Sequence, residues 1–159
     1  VELIIRGICC IVPGIPGYTD KVAVTSLVGR YLEHARIYAF GTGDDRKMYI
    51  GSADMMTRNT ERRVEVLTPV YDKDLKIELS NIIDIQLADT VKSRRLMPNG
   101  NYVNKISEEQ PNICAQEYFE ELAVKQAGTI HLPSPPQAVP TAMPVEKKGF
   151  FAKLRNLFH

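Results

Sequence analysis

The chain has 159 residues, 44% of them apolar and 25% charged, which is globular composition and enough length for one domain with a real core. A formal net charge of +1 supplies no global field for nucleic acid or acidic lipid, so an anion must be held by a local cluster. Three cysteines, an odd number with Cys9 and Cys10 adjacent, make no disulfide framework and suit a reducing cytoplasm, and no apolar run approaches the roughly 18 residues that span a membrane.

The chain opens at Val1, already inside an apolar run and without an initiator Met or signal peptide, so it reads as a segment cut from a longer protein on its N-terminal side. Residues 3–12, L-I-I-R-G-I-C-C-I-V, read as a buried strand, with Cys9 and Cys10 as buried packing. Arg6 is the anomaly: a guanidinium keeps its proton, so inside a buried strand it must meet an anion or carboxylate. Residues 21–26 alternate as a second strand. Residues 36–41 and 47–51 flank T-G-D-D-R as a hairpin, and residues 63–70 form another strand, with Val64, Val66 and Thr68 on one face.

The period then changes. Leu75, Leu79, Ile82, Ile83, Gln86/Leu87 and Val91 recur at helical spacing, with Asp72 and Asp74 at the start, which predicts a helix over residues 73–91. Asn99-Gly100 predicts a small hairpin. Residues 115–126 form a short helix, residues 128–146 are a Pro-rich linker, and residues 147–159 are a basic amphipathic helix. That tail either docks on its own protein or makes weak membrane-surface or partner contact; four basic residues bind anionic lipid only marginally.

Two polar clusters carry the chemistry. The first is Glu33-His34-Ala35-Arg36; the second runs Ser52-Ala53-Asp54, Arg58-Asn59, Arg62-Arg63 and Glu65. Arg6 joins them if its strand neighbours theirs. Arginines clamp phosphoryl oxygens with forked donors, a histidine moves a proton near neutral pH or becomes the nucleophile, and a carboxylate orients either. Each residue also has a plain structural reading: His34 as a surface or capping residue, Glu33–Arg36 as an exposed ion pair, and Arg62-Arg63 as a solvated strand start. The conjunction favours phosphate handling. His131 and His159 fall in linker and tail, and no P-loop, G-x-G-x-x-G, C-x-x-C, H-E-x-x-H or nucleophile elbow is present.

Three stretches, R-G-I-C-C-I-V-P-G-I-P-G, S-L-V-G-R-Y-L-E-H-A-R-I-Y-A-F-G and Y-I-G-S-A-D-M-M-T-R-N-T-E-R-R-V-E-V-L-T-P-V, closely resemble the C-terminal part of bacterial polyphosphate kinases that work through a phosphohistidine. The resemblance runs from Val1 to about Lys105. It implies an α/β fold, a phospholipase-D-like mixed sheet with packed helices, truncated at its N-terminus and followed by a flexible tail. The implied organisation is residues 1–106 as the partial domain, 107–127 as an extension, 128–146 as linker and 147–159 as tail helix. The implied activity is reversible transfer of the terminal phosphate of ATP to polyphosphate, with the phosphohistidine on another domain.

By the same resemblance His34 is the second active-site histidine, contacting nucleotide phosphates. Arg6 and Arg63 match phosphate-binding arginines, and Arg58 and Arg62 join them as ATP or phosphate ligands. Mg2+ is implied, with its ligands outside this chain. The implied partners are ATP, ADP, polyphosphate, the rest of the enzyme and further copies of it, with no nucleic acid and no chain-bound metal. The implied location is cytoplasmic, at most peripheral to the membrane, and the fragment alone is expected to be inactive. The wider phospholipase D pattern is H-x-K-x4-D followed by G-S; here Arg36 stands at the lysine position and Gly41 at the aspartate position, while Gly51-Ser52-Ala53-Asp54 fits. That departure disfavours the phosphodiesterase alternative. The other alternative is a non-catalytic binding or assembly module.

Overall fold

Among the described residues, short β-branched runs and one long amphipathic stretch build two small sheets and three helices. The computed structural model describes residues 1–7, 9–105 and 112–128. Strands β1 (Glu2–Ile5), β2 (Ala23–Leu27), β6 (Ser93–Leu96) and β7 (Tyr102–Asn104) form one mixed sheet in the order β1-β2-β6-β7, with β1 parallel to β2 and the other pairs antiparallel. Strands β3 (Ile37–Phe40), β4 (Lys47–Gly51) and β5 (Leu67–Val70) form an antiparallel sheet in sequence order. The helices are α1 (Thr57–Arg62), α2 (Lys73–Ala88) and α3 (Ala115–Ala127). Val1–Gln126 forms one compact unit.

The mixed sheet carries most of the core. Val24, Thr25 and Leu27 of β2 and Ser93 and Leu96 of β6 are buried, with Cys114 and Ala115 at the start of α3. The first strand is shorter than expected. It ends at Ile5, and the chain bends through Arg6 and Gly7. Because β1 is the edge of its sheet, its side chains are at most half-buried, and Arg6 is exposed to water rather than enclosed. Cys10 is likewise exposed and Cys9 half-buried, so neither is core packing.

The expected hairpin is β3–β4, with Ile37 opposite Ile50 and Phe40 opposite Lys47, joined through a 3-10 turn at Gly43–Asp45. Phe40 and Tyr49 meet edge to face at 6.1 Å. Pro69 fits β5 because that strand is an edge, where a missing N–H costs no ladder bond. The strand expected over residues 63–70 is only Leu67–Val70; residues 57–62 are helical, and Val64, placed on one face with Val66 and Thr68, is 99% exposed.

Asp72 caps α2, its Oδ1 accepting from the amides of Asp74 (2.9 Å) and Leu75 (3.0 Å). Leu79, Ile82, Ile83, Gln86 and Leu87 are half-buried as the spacing predicts, while Leu75 is exposed and Val91 lies past the helix end. The helix meets β4 through Ser80, which donates to the sulfur of buried Met48 (3.7 Å) and accepts from Arg46 Nη1 (3.2 Å). At its C-terminus Lys105 donates from Nζ to the Leu87 carbonyl, and burial lowers the Lys105 pKa, with Arg95 adding to the effect. The Asn99-Gly100 turn joins β6 to β7 as expected. The short helix expected near residue 115 is α3. The linker and tail, with His131 and His159, lie outside the described residues.

Candidate functional site

His34 lies in the irregular segment that leads into β3, and its side chain is exposed. Two residues on, half-buried Arg36 turns back: its Nη1 donates to the His34 carbonyl at 3.0 Å. The rest of its fork is taken by Asp54, with Nε to Oδ1 at 2.9 Å and Nη2 to Oδ2 at 3.3 Å. Arg36 therefore pairs with Asp54 and not with Glu33. The hydrogen bond raises the Arg36 pKa and lowers that of Asp54, with smaller contributions to Asp54 from the charges of Arg58 and His34.

The Gly-Ser turn after β4 is closed by a second carboxylate. Ser52 donates from Oγ to Glu65 Oε2, and Asn59 donates from Nδ2 to Glu65 Oε1 at 2.8 Å. These bonds, Ser52 first, hold the Glu65 pKa below the usual carboxylate range; the Arg63 charge adds less. Ser52 exchanges main-chain contacts with Val66: its amide donates to the Val66 carbonyl at 3.0 Å, and its Oγ accepts from the Val66 amide at 3.1 Å. Asn59 is 3% exposed and fixes α1 against this turn. Tyr38 of β3 donates to the Ala53 carbonyl at 2.5 Å, and burial raises its pKa, reinforced by the Asp54 charge.

His34, Arg36, Gly51 and Ser52 line an open groove of about 500 Å³ together with Ile37 and Ile50 of the sheet and Leu79 and Ile82 of α2. Of the predicted arginines, Arg58 and Arg63 are exposed near the carboxylates Asp54 and Glu65. Arg62 ends α1 on its exposed side. Arg6 follows β1 on the other sheet, so strand pairing does not bring it to His34. Its neighbour Gly7 lines a different groove with Cys9, Ser26, Arg94 and Tyr102. Among the described residues no group of three or more His, Cys, Asp or Glu is placed to hold a metal ion.

Sequence reasoning missed how Glu33 is used. Its Oε2 accepts from Gln86 of α2 at 2.8 Å and its Oε1 from Gln116 of α3 at 2.6 Å, so it braces the segment beside His34. No local signal marks this, because its partners are 53 and 83 residues away.

The two sheets and their packed helices make an α/β domain of the phospholipase-D-like class. The family profile of polyphosphate kinase C-terminal domain 2 matches residues 1–116. The chain is 43% identical over 119 residues to polyphosphate kinase 1 of Chlorobaculum tepidum, covering 75% of this chain and 17% of that protein. It is 38% identical over 161 residues to a polyphosphate kinase of Staphylococcus epidermidis, covering 99% and 21%. It also resembles the crystal structure of polyphosphate kinase from Porphyromonas gingivalis, with a TM-score of 0.74 and 37% identity over 81% of this chain and 20% of that one. The chain belongs to the polyphosphate kinase family, as its C-terminal domain 2. It spans about a fifth of the length of these relatives. The likeness extends past Lys105, to residue 116 in the family profile and through the tail in the staphylococcal protein.

Proposed function

We propose that this chain is the nucleotide-side part of a polyphosphate kinase active site. In this reading the terminal phosphoryl group of ATP passes to a histidine nitrogen outside the chain, releasing ADP, and then to the terminal oxygen of a polyphosphate; both steps are reversible. His34 contacts the nucleotide phosphates and exchanges a proton with a phosphate oxygen. Arg63 and Arg58, with Arg62 and Arg6, supply positive charge to the nucleotide and polyphosphate. Arg36 acts differently from the arginines around it. With its fork on Asp54, it fixes the His34 main chain rather than gripping phosphate.

The observation that carries the reading is an exposed His34, its carbonyl held by the Arg36–Asp54 fork, lining an open groove in a family of polyphosphate kinases. Mg2+ would neutralise nucleotide phosphates. The described carboxylates of this site do not fit it: Asp54 is held by Arg36, and Glu65 by Ser52 and Asn59. Its ligands are therefore assigned outside this chain. The working enzyme is proposed as a cytoplasmic homo-oligomer. A weak membrane-surface contact by residues 147–159 is proposed on the strength of their basic amphipathic sequence, with docking on the same protein as the alternative. Among the described residues no helix is long and apolar enough to cross a membrane.

The test is His34→Ala in the full-length protein. Polyphosphate synthesis from ATP should fall by about 100-fold or more, the usual scale for a positioned proton-transfer group. Unchanged turnover would favour a non-catalytic assembly module instead.

A further inference from the structure

The segment between β2 and β3 that carries His34 has no regular structure of its own, so something else must hold it. Its support comes from the first turn of α3. Gln116 is only 8% exposed, and its side-chain amide makes three hydrogen bonds. Its Oε1 accepts from the Tyr31 amide at 2.8 Å, and its Nε2 donates to the Tyr31 carbonyl at 2.9 Å and to Glu33 Oε1 at 2.6 Å. The side chain thus pairs with the Tyr31 backbone as a neighbouring strand would, while Gln86 of α2 holds the other oxygen of Glu33. The opposite wall is Gly29, where an added Cβ would stand 2.2 Å from Gln116 Oε1. Only glycine leaves room for the amide there.

We infer that Gln116 is a positioning residue for His34, acting through Tyr31 and Glu33, and that α3 is thereby part of the active-site framework. The inference rests on the reading of His34 as an acting residue. A well-aligned group displaced by about 1 Å can lose on the order of 100-fold in rate, so a support three residues away is enough to matter.

The experiment uses the full-length protein and two variants that reach the latch from opposite sides. Gln116→Ala removes the amide, and Gly29→Ala pushes it out; Gln116→Asn, one methylene shorter, replaces Gln116→Ala should the latter not fold. Hydrogen exchange at the Tyr31 amide should quicken at least about tenfold in both, while β2 and β6 amides keep their protection. Turnover should fall about tenfold or more at a nearly constant KM for ATP. It should fall no further when either change is added to His34→Ala, because a misplaced group that is already absent costs nothing. Unaltered exchange at Tyr31, or an equal loss of turnover with and without His34, would overturn the inference. If the wild-type protein makes no polyphosphate, the kinase reading fails while the exchange result still decides whether the latch exists.

Discussion

Replacing Asp89 with alanine should destabilise the fold more than replacing it with asparagine. Asp89 is fully buried just past the end of α2. Its Oδ1 accepts from the amides of Lys92 (2.7 Å) and Ser93 (3.0 Å), and its Oδ2 from the amide of Ala115 (2.7 Å). One side chain therefore ties α2 to β6 and satisfies a first-turn amide of α3 that has no partner within its own helix. In Asp89→Ala the exposed Lys92 amide turns to water, but the Ser93 and Ala115 amides lie at buried residues. At about 1–3 kcal/mol for each stranded donor, the loss is about 2–6 kcal/mol. That is a large share of the roughly 5–15 kcal/mol that holds a domain folded. Asp89→Asn keeps one oxygen acceptor and turns an NH2 toward one donor side, so its cost is about 1–3 kcal/mol. Urea unfolding read by circular dichroism gives both values, provided the slope against denaturant is unchanged. A loss below about 1 kcal/mol for the alanine variant, or equal losses for the two variants, would refute the donor accounting.

The network around the Gly-Ser turn should loosen in acid. The pKa values of Asp54 and Glu65 are lowered in the folded state by Arg36 and by Ser52 with Asn59 respectively, so the unfolded chain binds protons first as pH falls. Their contribution is present above the ordinary carboxylate range near about 4 and disappears as pH drops through the lowered values. The protection of the Val66 and Asn59 amides, exchange measured relative to the intrinsic rate at each pH, should fall there, and in the double variant Asp54→Asn, Glu65→Gln that pH dependence should flatten; an unchanged profile would contradict it. Arg36→Lys should lower turnover by about tenfold or more, because an ammonium cannot span both Asp54 oxygens and the His34 carbonyl at once. Full activity in the lysine variant would show that the fork is dispensable.

Sequence and structure agree where the physics is local. The β3–β4 hairpin follows from alternation around T-G-D-D-R, and α2 begins where Asp72 can cap it. Helix α1 was hidden because only Asn59 of it is buried, leaving no apolar stripe to give a helical period. Val64 and Val66 keep the alternation of a strand but lie before β5 begins, exposed. The burial expected of Arg6 is not found, because nothing in a lone sequence says which strand is an edge, and an edge strand ending at Ile5 leaves the guanidinium in water. The clusters around His34 and Ser52 were legible as groups of residue types. Their pairing was not: the Arg36–Asp54 fork, the Ser52–Glu65 bond and the Gln116 latch join residues 18, 13 and 85 positions apart. Hydrogen bonds of that range leave no periodic trace.

The central claim is that His34 assists a nucleophile located elsewhere and does not itself carry the phosphate. The direct measurement is to incubate the full-length protein with ATP labelled in the terminal phosphate and Mg2+, quench in base to keep phosphohistidine intact, and map the labelled peptide. Label is expected on a histidine outside residues 1–159, persisting in His34→Ala although formed more slowly. Stable label on His34, or label abolished from every other histidine while His34 keeps it, would contradict the account.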